Sequence, residues 1–273
     1  QITLWFFGSM VTVPMEYDGT HLEFPGMRPD WKMRDVQKNF VWQAITRGKG
    51  IIAHEVGVGK TATMVASAME LQLTREAQEL YPGARILSTS GMFDAKSRKE
   101  TVSRIATGDY DMVFLSHDHL NLLPMSNEVQ AQFVRDEMDE LVAALESARE
   151  TDKSKGNRTV KQLEKRKAQL EASLKEILGK KKDDAVTFEQ TGIDFLMVDE
   201  AHKYKSLPVY TSMQELAGIP QTRSDRATNM LMRTKWLQEQ NGGRGVVFAT
   251  GTPISNTMAE MYNLQRYIQP EEL

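Results

Sequence analysis

The sequence contains no cysteine, so no disulfide bond can staple the fold, which is typical of a reducing compartment. It has no apolar run near the roughly 18 residues of a membrane helix, and its apolar start, residues 1–7, lacks the basic residues of a signal peptide. The sequence also lacks a large excess of either charge, because 37 acidic residues nearly balance 34 basic ones. These absences argue against a disulfide scaffold, a membrane protein and a uniformly basic nucleic-acid binder.

The most informative stretch is a glycine-containing loop at residues 54–61, His-Glu-Val-Gly-Val-Gly-Lys-Thr. It follows a short apolar run and precedes a helical pattern, as a phosphate-binding loop does. Glycine lets backbone N–H groups converge on phosphate oxygens, lysine neutralises phosphate charge, and a threonine hydroxyl can ligate Mg²⁺. The strict pattern has glycine where His54 stands, so a glycine-rich turn without a ligand is the alternative. The residues predicted to bind nucleotide are Gly57, Val58, Gly59, Lys60 and Thr61, with Thr61 also a Mg²⁺ ligand.

Two adjacent carboxylates, Asp199 and Glu200, end a second apolar run at residues 194–198. A continuous apolar run is typical of a buried parallel strand, and ligands bind at the C-terminal ends of such strands. Asp199 there suits a Mg²⁺ ion, and Glu200 suits orienting and deprotonating an attacking water.

A third apolar run, residues 245–249, ends in small hydroxyl and glycine residues. They are Thr250, Gly251 and Thr252, and at the end of a buried strand they could sense a γ-phosphate. For each of the three segments taken alone, the alternative is an ordinary exit from a strand into a loop. Together, in this order, they favour nucleotide hydrolysis.

These segments resemble motifs I, II and III of superfamily 2 helicases, and the loop is most similar to that of the Swi/Snf-type DNA translocase branch. Two longer phrases are Val-Asp-Glu-Ala-His-Lys-Tyr-Lys, from residue 198, and Ala-Thr-Gly-Thr-Pro-Ile-Ser-Asn-Thr-Met-Ala-Glu-Met-Tyr, from residue 249. They resemble the helicase portion of large phage and conjugative-element proteins that often join a helicase to an adenine-specific DNA methylase. The resemblance covers roughly residues 30–270.

The resemblance implies ATP and Mg²⁺ as cofactors, with Lys60, Asp199 and Glu200 as the catalytic residues and Glu200 as the base. It implies that His202, Thr250, Gly251 and Thr252 couple the nucleotide state to DNA. The implied partners are duplex DNA, a second RecA-like domain of the same polypeptide and a fused DNA methylase, without a membrane. The implied location is the cytoplasm of a bacterial or phage-infected cell.

Upstream of the loop, Arg34 and Gln37 open a helical pattern that runs to Arg47. In the resembled family, an arginine and glutamine at this distance form a motif whose amide contacts the adenine edge, a suitable task for a group with both a donor and an acceptor. A solvated glutamine on a helix face is the alternative.

Apolar runs alternating with helical stretches predict an α/β fold, a RecA-like three-layer sandwich with a mainly parallel sheet. The predicted strands are Gly50–Ala53, Ala84–Thr89, Asp111–Ser116, Asp194–Val198 and Gly245–Ala249. The predicted domains are an N-terminal extension at 1–30, the RecA-like domain at 31–127 and 183–273, and an inserted helical hairpin at 128–182. The resembled family has a further strand, ending in its motif Ia, after the first helix, and no such pattern precedes Arg85. The chain also ends where a second RecA-like domain is expected to begin.

The insertion at 128–182 has apolar residues at helical 3,4 spacing on both sides of a polar turn, a coiled-coil pattern. Residues 128–150 contain two basic and seven acidic residues, whereas 151–182 contain eleven basic and four acidic ones. Opposite charge is expected to help the two helices pair antiparallel as an arm of roughly 35 Å that can be separated from the core. The arm is either a solvated structural element or a contact for DNA or a protein.

Two functions from different classes follow. The first is the ATP-binding half of a DNA helicase or translocase that moves on DNA when joined to a second RecA-like domain. The second is a nucleotide-dependent scaffold that acts through protein contacts of the arm. An intact Glu200 favours the first.

Overall fold

The structure is a computed structural model that describes residues 17–24, 27, 30–54, 59–70, 85–89, 97–151, 157–180, 186–207 and 224–270. The predicted site residues Gly57 and Val58 lie outside the described residues, as does the stretch 71–84 that precedes Arg85. No helix in the described ranges is long and apolar enough to span a membrane.

The strands lie within a few residues of the predicted positions. They are β1 (Lys49–Ile52), β2 (Ile86–Ser88), β3 (Met112–Phe114), β4 (Leu196–Val198) and β5 (Val246–Ala249). All the pairings between them are parallel, so the predicted α/β fold with a mainly parallel sheet is confirmed. Among these strands the sheet is in two pieces, one ordered β1-β5-β4 and one formed by β2 and β3.

Helices connect the strands. They are α1 (Asp35–Arg47), α2 (Lys60–Glu70), α3 (Arg98–Thr107), α4 (His117–Leu122), α5 (Asn127–Thr151), α6 (Asn157–Gly179), α7 (Asp225–Gln240) and α8 (Met258–Ile268). Short 3₁₀ helices occur at Phe188–Gln190 and Ala201–Tyr204. Helix α1 ends at Gly48, whose φ of 66° lies in the left-handed region that glycine adopts without strain.

The larger sheet piece is covered on both faces, which makes three layers. Successive side chains of a strand point to opposite faces. Ile52, Val247 and Ala249 therefore pack with Phe40 and Ala44 of α1. On the other face, Val246 and Phe248 pack with a larger cluster that includes Leu237 of α7 and Leu264 and Tyr267 of α8. Burial on both faces explains the continuous apolar runs of the sequence.

The insertion forms the predicted pair of long helices, α5 and α6. Asn127 Nδ2 donates to the carbonyl of Lys180 at 3.3 Å, and Arg149 lies 2.8 Å from Glu164, so the helices run in opposite directions. An apolar seam joins them, formed by Ala131, Val134, Leu141, Leu145, Ala148, Leu163, Leu170 and Ile177. The Arg149–Glu164 pair joins a basic residue of the acidic helix to an acidic residue of the basic helix. The apolar seam is the main contact that the described residues make between the two helices, and the help expected from opposite net charges stays a prediction.

The base of this arm belongs to the core. Phe133 of α5 is 5% exposed and packs in the same cluster as β4, β5 and α7. Lys235 of α7 lies over the Phe133 ring at 5.8 Å and donates to Glu140 at 3.3 Å. The expectation that the whole insertion can be separated from the core is therefore corrected, because removing it would remove a core aromatic.

Shortening the arm should be tolerated where removing it is not. Deleting residues 142–171 and closing with a short Gly/Ser linker leaves Phe133 and Glu140 in place, so the free energy of unfolding of the core should change by no more than about 1 kcal/mol. Deleting 128–182 should lower it by about 3 kcal/mol or more, because a buried phenylalanine is lost. Urea unfolding followed by circular dichroism measures both. Equal stability of the two deletions would contradict the role of Phe133.

Candidate functional site

The three predicted site segments meet at one edge of the sheet. Strands β1, β5 and β4 lie side by side and parallel, so their C-terminal ends are neighbours. The first residue after β5, Thr250, donates its N–H to the carbonyl of Ile52 at 3.0 Å. The end of the glycine-containing loop, the carboxylate pair and the Thr250 turn are thereby collected at the edge where ligands bind in such sheets.

The described end of the loop requires glycine. Gly59 has a φ of 77°, and a Cβ there would lie 2.7 Å from Gln37 Nε2. The Gly59 carbonyl accepts hydrogen bonds from Thr63 N and Thr63 Oγ1, both at 3.1 Å, and from Gln37 Nε2 at 3.2 Å. The loop therefore enters α2 in a fixed conformation with Lys60 and Thr61 at the helix N-terminus, where a phosphate group is stabilised.

Gln37 is buried and anchors the loop. Its side chain is only 3% exposed, which excludes the alternative of a solvated glutamine on a helix face. Its Oε1 accepts the N–H of Arg34 at 2.8 Å while its Nε2 donates to Gly59. Sequence reasoning assigned Gln37 to adenine, and that contact stays a prediction. The structure adds the hydrogen bond from Gln37 to Gly59, which positions the loop and which no local sequence pattern predicts. The Arg34 residue itself is exposed.

His54 stands where the strict loop pattern has glycine. Its carbonyl accepts a hydrogen bond from Lys60 Nζ at 3.4 Å, and its ring lies edge-on to Phe40 with centroids 6.3 Å apart. Burial, together with the charge of Lys60, lowers the pKa of His54. The imidazole is therefore neutral at pH 7, and Lys60 supplies the positive charge at this point of the loop.

Glu200 has a strained backbone. Its φ of 50° and ψ of 43° place it in the left-handed region, which costs a residue with a side chain roughly 1–3 kcal/mol. Its N–H donates to Asp199 Oδ1 at 2.8 Å, and its side chain is 50% exposed. In this turn the Asp199 carboxylate accepts a backbone hydrogen bond, whereas the neighbouring Glu200 carboxylate is open to water.

One cavity borders both of the predicted Mg²⁺ ligands. Thr61 and Asp199 line the same cavity, although they are far apart in the sequence. A hydroxyl and a carboxylate are oxygen donors of the kind that Mg²⁺ prefers, and few protein ligands suffice when phosphate groups and waters complete the shell. In the described ranges no group of three or more His, Asp or Glu residues forms a metal site of its own. The donor set therefore fits a Mg²⁺ ion that arrives with a nucleotide.

The predicted coupling residues form two separate groups. His202 Nδ1 lies 3.1 Å from Glu200 Oε2. Thr250 is fully buried, and its hydroxyl accepts the N–H of Thr252 at 3.1 Å, which shapes the turn that contains Gly251. No hydrogen bond links His202 to this turn in the part of the chain that the structure describes.

A buried ion pair that sequence reasoning missed connects the two segments instead. Lys205 Nζ lies 2.9 Å from Glu260 Oε2 and 3.0 Å from Ser255 Oγ. The side chains of Lys205 and Glu260 are 9% and 14% exposed. Both residues lie within the phrases that carry the family resemblance, but nothing in a single sequence pairs two residues so far apart. The pair ties the segment after Glu200 to the segment after Thr252.

Further hydrogen bonds hold the Glu260 carboxylate. It accepts the N–H groups of Ser255 and Asn256, the first at 2.5 Å and the second at 3.3 Å. Burial by itself would raise the pKa of Glu260, but the hydrogen bonds from Ser255, Lys205 and Asn256 outweigh it and lower the pKa to about 2. Glu260 is therefore ionised at neutral pH and fixes the loop that follows Thr252.

Two comparisons with known proteins place the chain. Residues 71–273 match the model of a family described as a probable helicase domain. The chain is also 22% identical to the "Defense against restriction protein B" of Escherichia phage P1 over 322 residues, an alignment that covers 95% of this chain and 14% of the phage protein. That alignment includes the glycine-containing loop region, whereas the family match begins after it.

The aligned length of 322 residues exceeds the 273 residues of this chain, so the phage protein contains residues there that have no counterpart here. The family match includes Asp199, Glu200 and the Thr250 turn. Because the match covers more than half of its residues, this chain belongs to the probable helicase domain family.

Proposed function

We propose that this chain is the first ATP-binding RecA-like domain of a superfamily 2 DNA helicase or translocase of the Swi/Snf type. It hydrolyses ATP to move on DNA when joined to a second RecA-like domain. The observation that carries this proposal is the convergence of the loop end, the carboxylate pair and the Thr250 turn on one sheet edge, with Thr61 and Asp199 lining one cavity.

Each residue has a role that its position supports. Lys60, at the N-terminus of α2, binds the β- and γ-phosphates, and Thr61 and Asp199 hold the Mg²⁺ ion. ATP·Mg²⁺ supplies the phosphoanhydride bond that is cleaved and neutralises charge on its phosphates. Glu200, exposed at the strand end, orients a water and accepts its proton as the water oxygen attacks the γ-phosphorus. Gln37 holds the loop and contacts the adenine.

Coupling to DNA passes through the segments that follow β4 and β5. His202 contacts Glu200, the proposed base. The Lys205–Glu260 pair links the segment that follows Glu200 to the segment that follows Thr252. A change at the γ-phosphate can therefore move both segments together. Duplex DNA, the second RecA-like domain and a fused DNA methylase are the partners in this proposal.

A scaffold function of the arm is the second candidate, and the surface of α6 supports it. Its three acidic residues are each ion-paired, Glu164 with Arg149, Glu171 with Lys167 and Glu176 with Lys180. Lys161, Lys165 and Lys175 are exposed on the same helix. Such a surface suits an acidic protein or DNA backbone. Replacing these three lysines with glutamate separates the candidates, because a scaffold loses partner binding while an ATPase keeps nucleotide binding.

Removing the loop lysine tests the nucleotide site directly. Lys60→Ala should weaken ATP·Mg²⁺ binding by about tenfold to a hundredfold, because a charge-assisted contact to phosphate contributes roughly 1.5–3 kcal/mol. Isothermal titration calorimetry of the 273-residue chain measures it. Lys175→Ala, an exposed lysine of α6, is the matched control and should leave the affinity unchanged. Equal affinity of Lys60→Ala and the unaltered chain would refute the site.

A further inference from the structure

One face of helix α6 carries a regular row of exposed lysines. The residues of this lysine row follow one another at intervals of four, three, four and three positions, and all are exposed: Lys161, Lys165, Ala168, Ala172 and Lys175. Because an α-helix turns by about 100° per residue, these positions share one face. Leu170 and Ile177 of the seam with α5 lie on the opposite face. The lysine row therefore faces away from α5 and is open to solvent.

The lysine row is positively charged along much of the arm. From Lys161 to Lys175 it extends for about 21 Å, at a rise of about 1.5 Å per residue. The acidic residues of α6, Glu164, Glu171 and Glu176, lie outside the row and are each ion-paired with a basic residue. The row itself contains no acidic residue, so its three charges have the same sign.

The α5 side of the arm has the opposite charge. Residues 128–150 contain seven acidic and two basic residues, and Asp139 and Glu146 among them are exposed. A polyanion is therefore attracted to the α6 side of the arm and repelled by the α5 side. The arm can bind a polyanion in one orientation, with the lysine row towards it.

The side chains of the row favour a phosphate backbone over a protein. Protein interfaces are depleted in lysine and centre on large side chains, above all tryptophan, tyrosine and arginine, that fill pockets of the partner. Between its lysines the row has only Ala168 and Ala172. Leu178 of α6 is 61% exposed, but it lies about 100° around the helix from the row. Lysines at regular intervals, with small residues between them, fit a line of phosphate groups that a helix approaches closely.

The composition of α6 also favours a duplex over a single strand. Proteins bind single strands by stacking the bases on aromatic side chains. Helix α6 contains no aromatic residue, so it has nothing on which a base could stack. Contacts from lysine to phosphate fix the position of a protein on a duplex but carry no sequence information. The row therefore suits the outer surface of a duplex of any sequence.

We propose that the lysine row of α6 binds the phosphate backbone of duplex DNA without regard to sequence. The inference deepens the proposed function and rests on it for the choice of DNA as the polyanion. No residue of the row lines the cavity that borders Thr61 and Asp199. The contact should therefore persist when the nucleotide site is empty, so that the arm keeps the domain on the duplex between rounds of hydrolysis.

Binding of a duplex to the 273-residue chain tests the proposal. The probe is a fluorescently labelled DNA duplex of about 20 base pairs, whose anisotropy is followed without nucleotide between about 50 and 200 mM salt. Replacing the three lysines together, Lys161→Gln, Lys165→Gln and Lys175→Gln, should lower the affinity by about thirtyfold or more at the lowest salt. It should also reduce the slope of log K against log salt by about 2 to 3, because each contact to phosphate contributes about 0.9.

A second triple variant is the matched control. Lys32→Gln, Arg47→Gln and Lys99→Gln remove the same amount of charge from exposed sites outside the arm and should change the slope by less than about 1. Circular dichroism checks that both triple variants are folded. A folded row variant that binds the duplex as tightly as the control would overturn the proposal. Absence of duplex binding by the unaltered chain at the lowest salt would overturn it as well.

Competitors distinguish duplex DNA from other partners. Unlabelled duplexes of unrelated sequence should compete equally, whereas single-stranded DNA and a poly-glutamate peptide of the same charge should compete less well. Equal or better competition by the peptide would overturn the choice of nucleic acid, because the row would then be a site for an acidic protein. Better competition by the single strand would overturn the choice of a duplex.

Titration of ATP·Mg²⁺ into the same samples reports on the proposed function separately. The row variant should bind ATP·Mg²⁺ within about twofold of the unaltered chain, because the two sites share no residues. Duplex binding that depends on the row in a chain without ATP binding would refute the proposed function and leave the inference standing. ATP binding together with duplex binding that is independent of the row would do the reverse.

Discussion

Replacing Glu200 with glutamine should lower the rate of ATP hydrolysis by about 10²–10⁴-fold, the usual contribution of a general base. Glutamine keeps the size and the planar end group of the side chain, but its neutral amide cannot accept the proton of the attacking water. The phosphate contacts of Lys60 and the Mg²⁺ contacts of Asp199 remain. ATP·Mg²⁺ affinity should therefore stay within about threefold of the unaltered protein, so the loss falls on the chemical step alone.

The measurement needs both RecA-like domains, because the arginine that stabilises charge on the γ-phosphate is expected from the second. Steady-state phosphate release with duplex DNA present gives the rate, and calorimetry gives the affinity. Glu239→Gln is the matched control, since Glu239 is an exposed glutamate near the end of α7, at the opposite edge of the sheet. A turnover number of Glu200→Gln within about threefold of the unaltered protein would mean that Glu200 is not the base.

Removing the Glu260 carboxylate should lower the free energy of unfolding by about 3–5 kcal/mol, because it leaves the Lys205 ammonium buried without its counter-charge. Glu260→Ala also deprives the N–H groups of Ser255 and Asn256 of their acceptor. Lys205→Met should cost less, since the Glu260 carboxylate keeps those backbone donors. This order, with Glu260→Ala the more harmful, is specific to the observed geometry.

The pKa of Glu260 sets the pH dependence of this contribution. A folded-state pKa of about 2, below the ordinary value of 4.5, means that the ionised carboxylate stabilises the fold above pH 4.5. That stability is lost as pH falls from 4.5 towards 2. The difference in unfolding free energy between the unaltered chain and Glu260→Gln should therefore be largest near pH 7 and shrink at pH 3.

Urea unfolding of the single and double variants measures the coupling between Lys205 and Glu260. Lys203→Met is the control, because Lys203 is exposed two residues from Lys205 and should change stability by no more than about 0.5 kcal/mol. A Glu260→Ala chain as stable as the Lys203→Met chain would contradict the role of the pair. In the protein with both RecA-like domains, Glu260→Ala should also reduce DNA-stimulated hydrolysis more than ATP binding, since the pair joins the two coupling segments.

The sequence alone determined the features that depend on short stretches of chain. Each parallel strand is a short apolar run buried on both faces, so β1 to β5 were predicted within a few residues. The glycine-containing loop and the carboxylate pair are local too, because their chemistry needs particular residues next to a strand end. The α/β fold, the order of the segments and the two helices of the insertion followed from these patterns.

Only the tertiary structure decided which distant segments meet. The order β1-β5-β4 brings Thr61 and Asp199 to one cavity, Gln37 is anchored to Gly59, and Lys205 is paired with Glu260. A single sequence holds many lysines and glutamates, and its local patterns do not say which pair becomes buried. The packing of Phe133 against α7 depends in the same way on how complete elements pack. Contacts across long sequence separations are selected by the burial of the whole core, and so they become visible only in three dimensions.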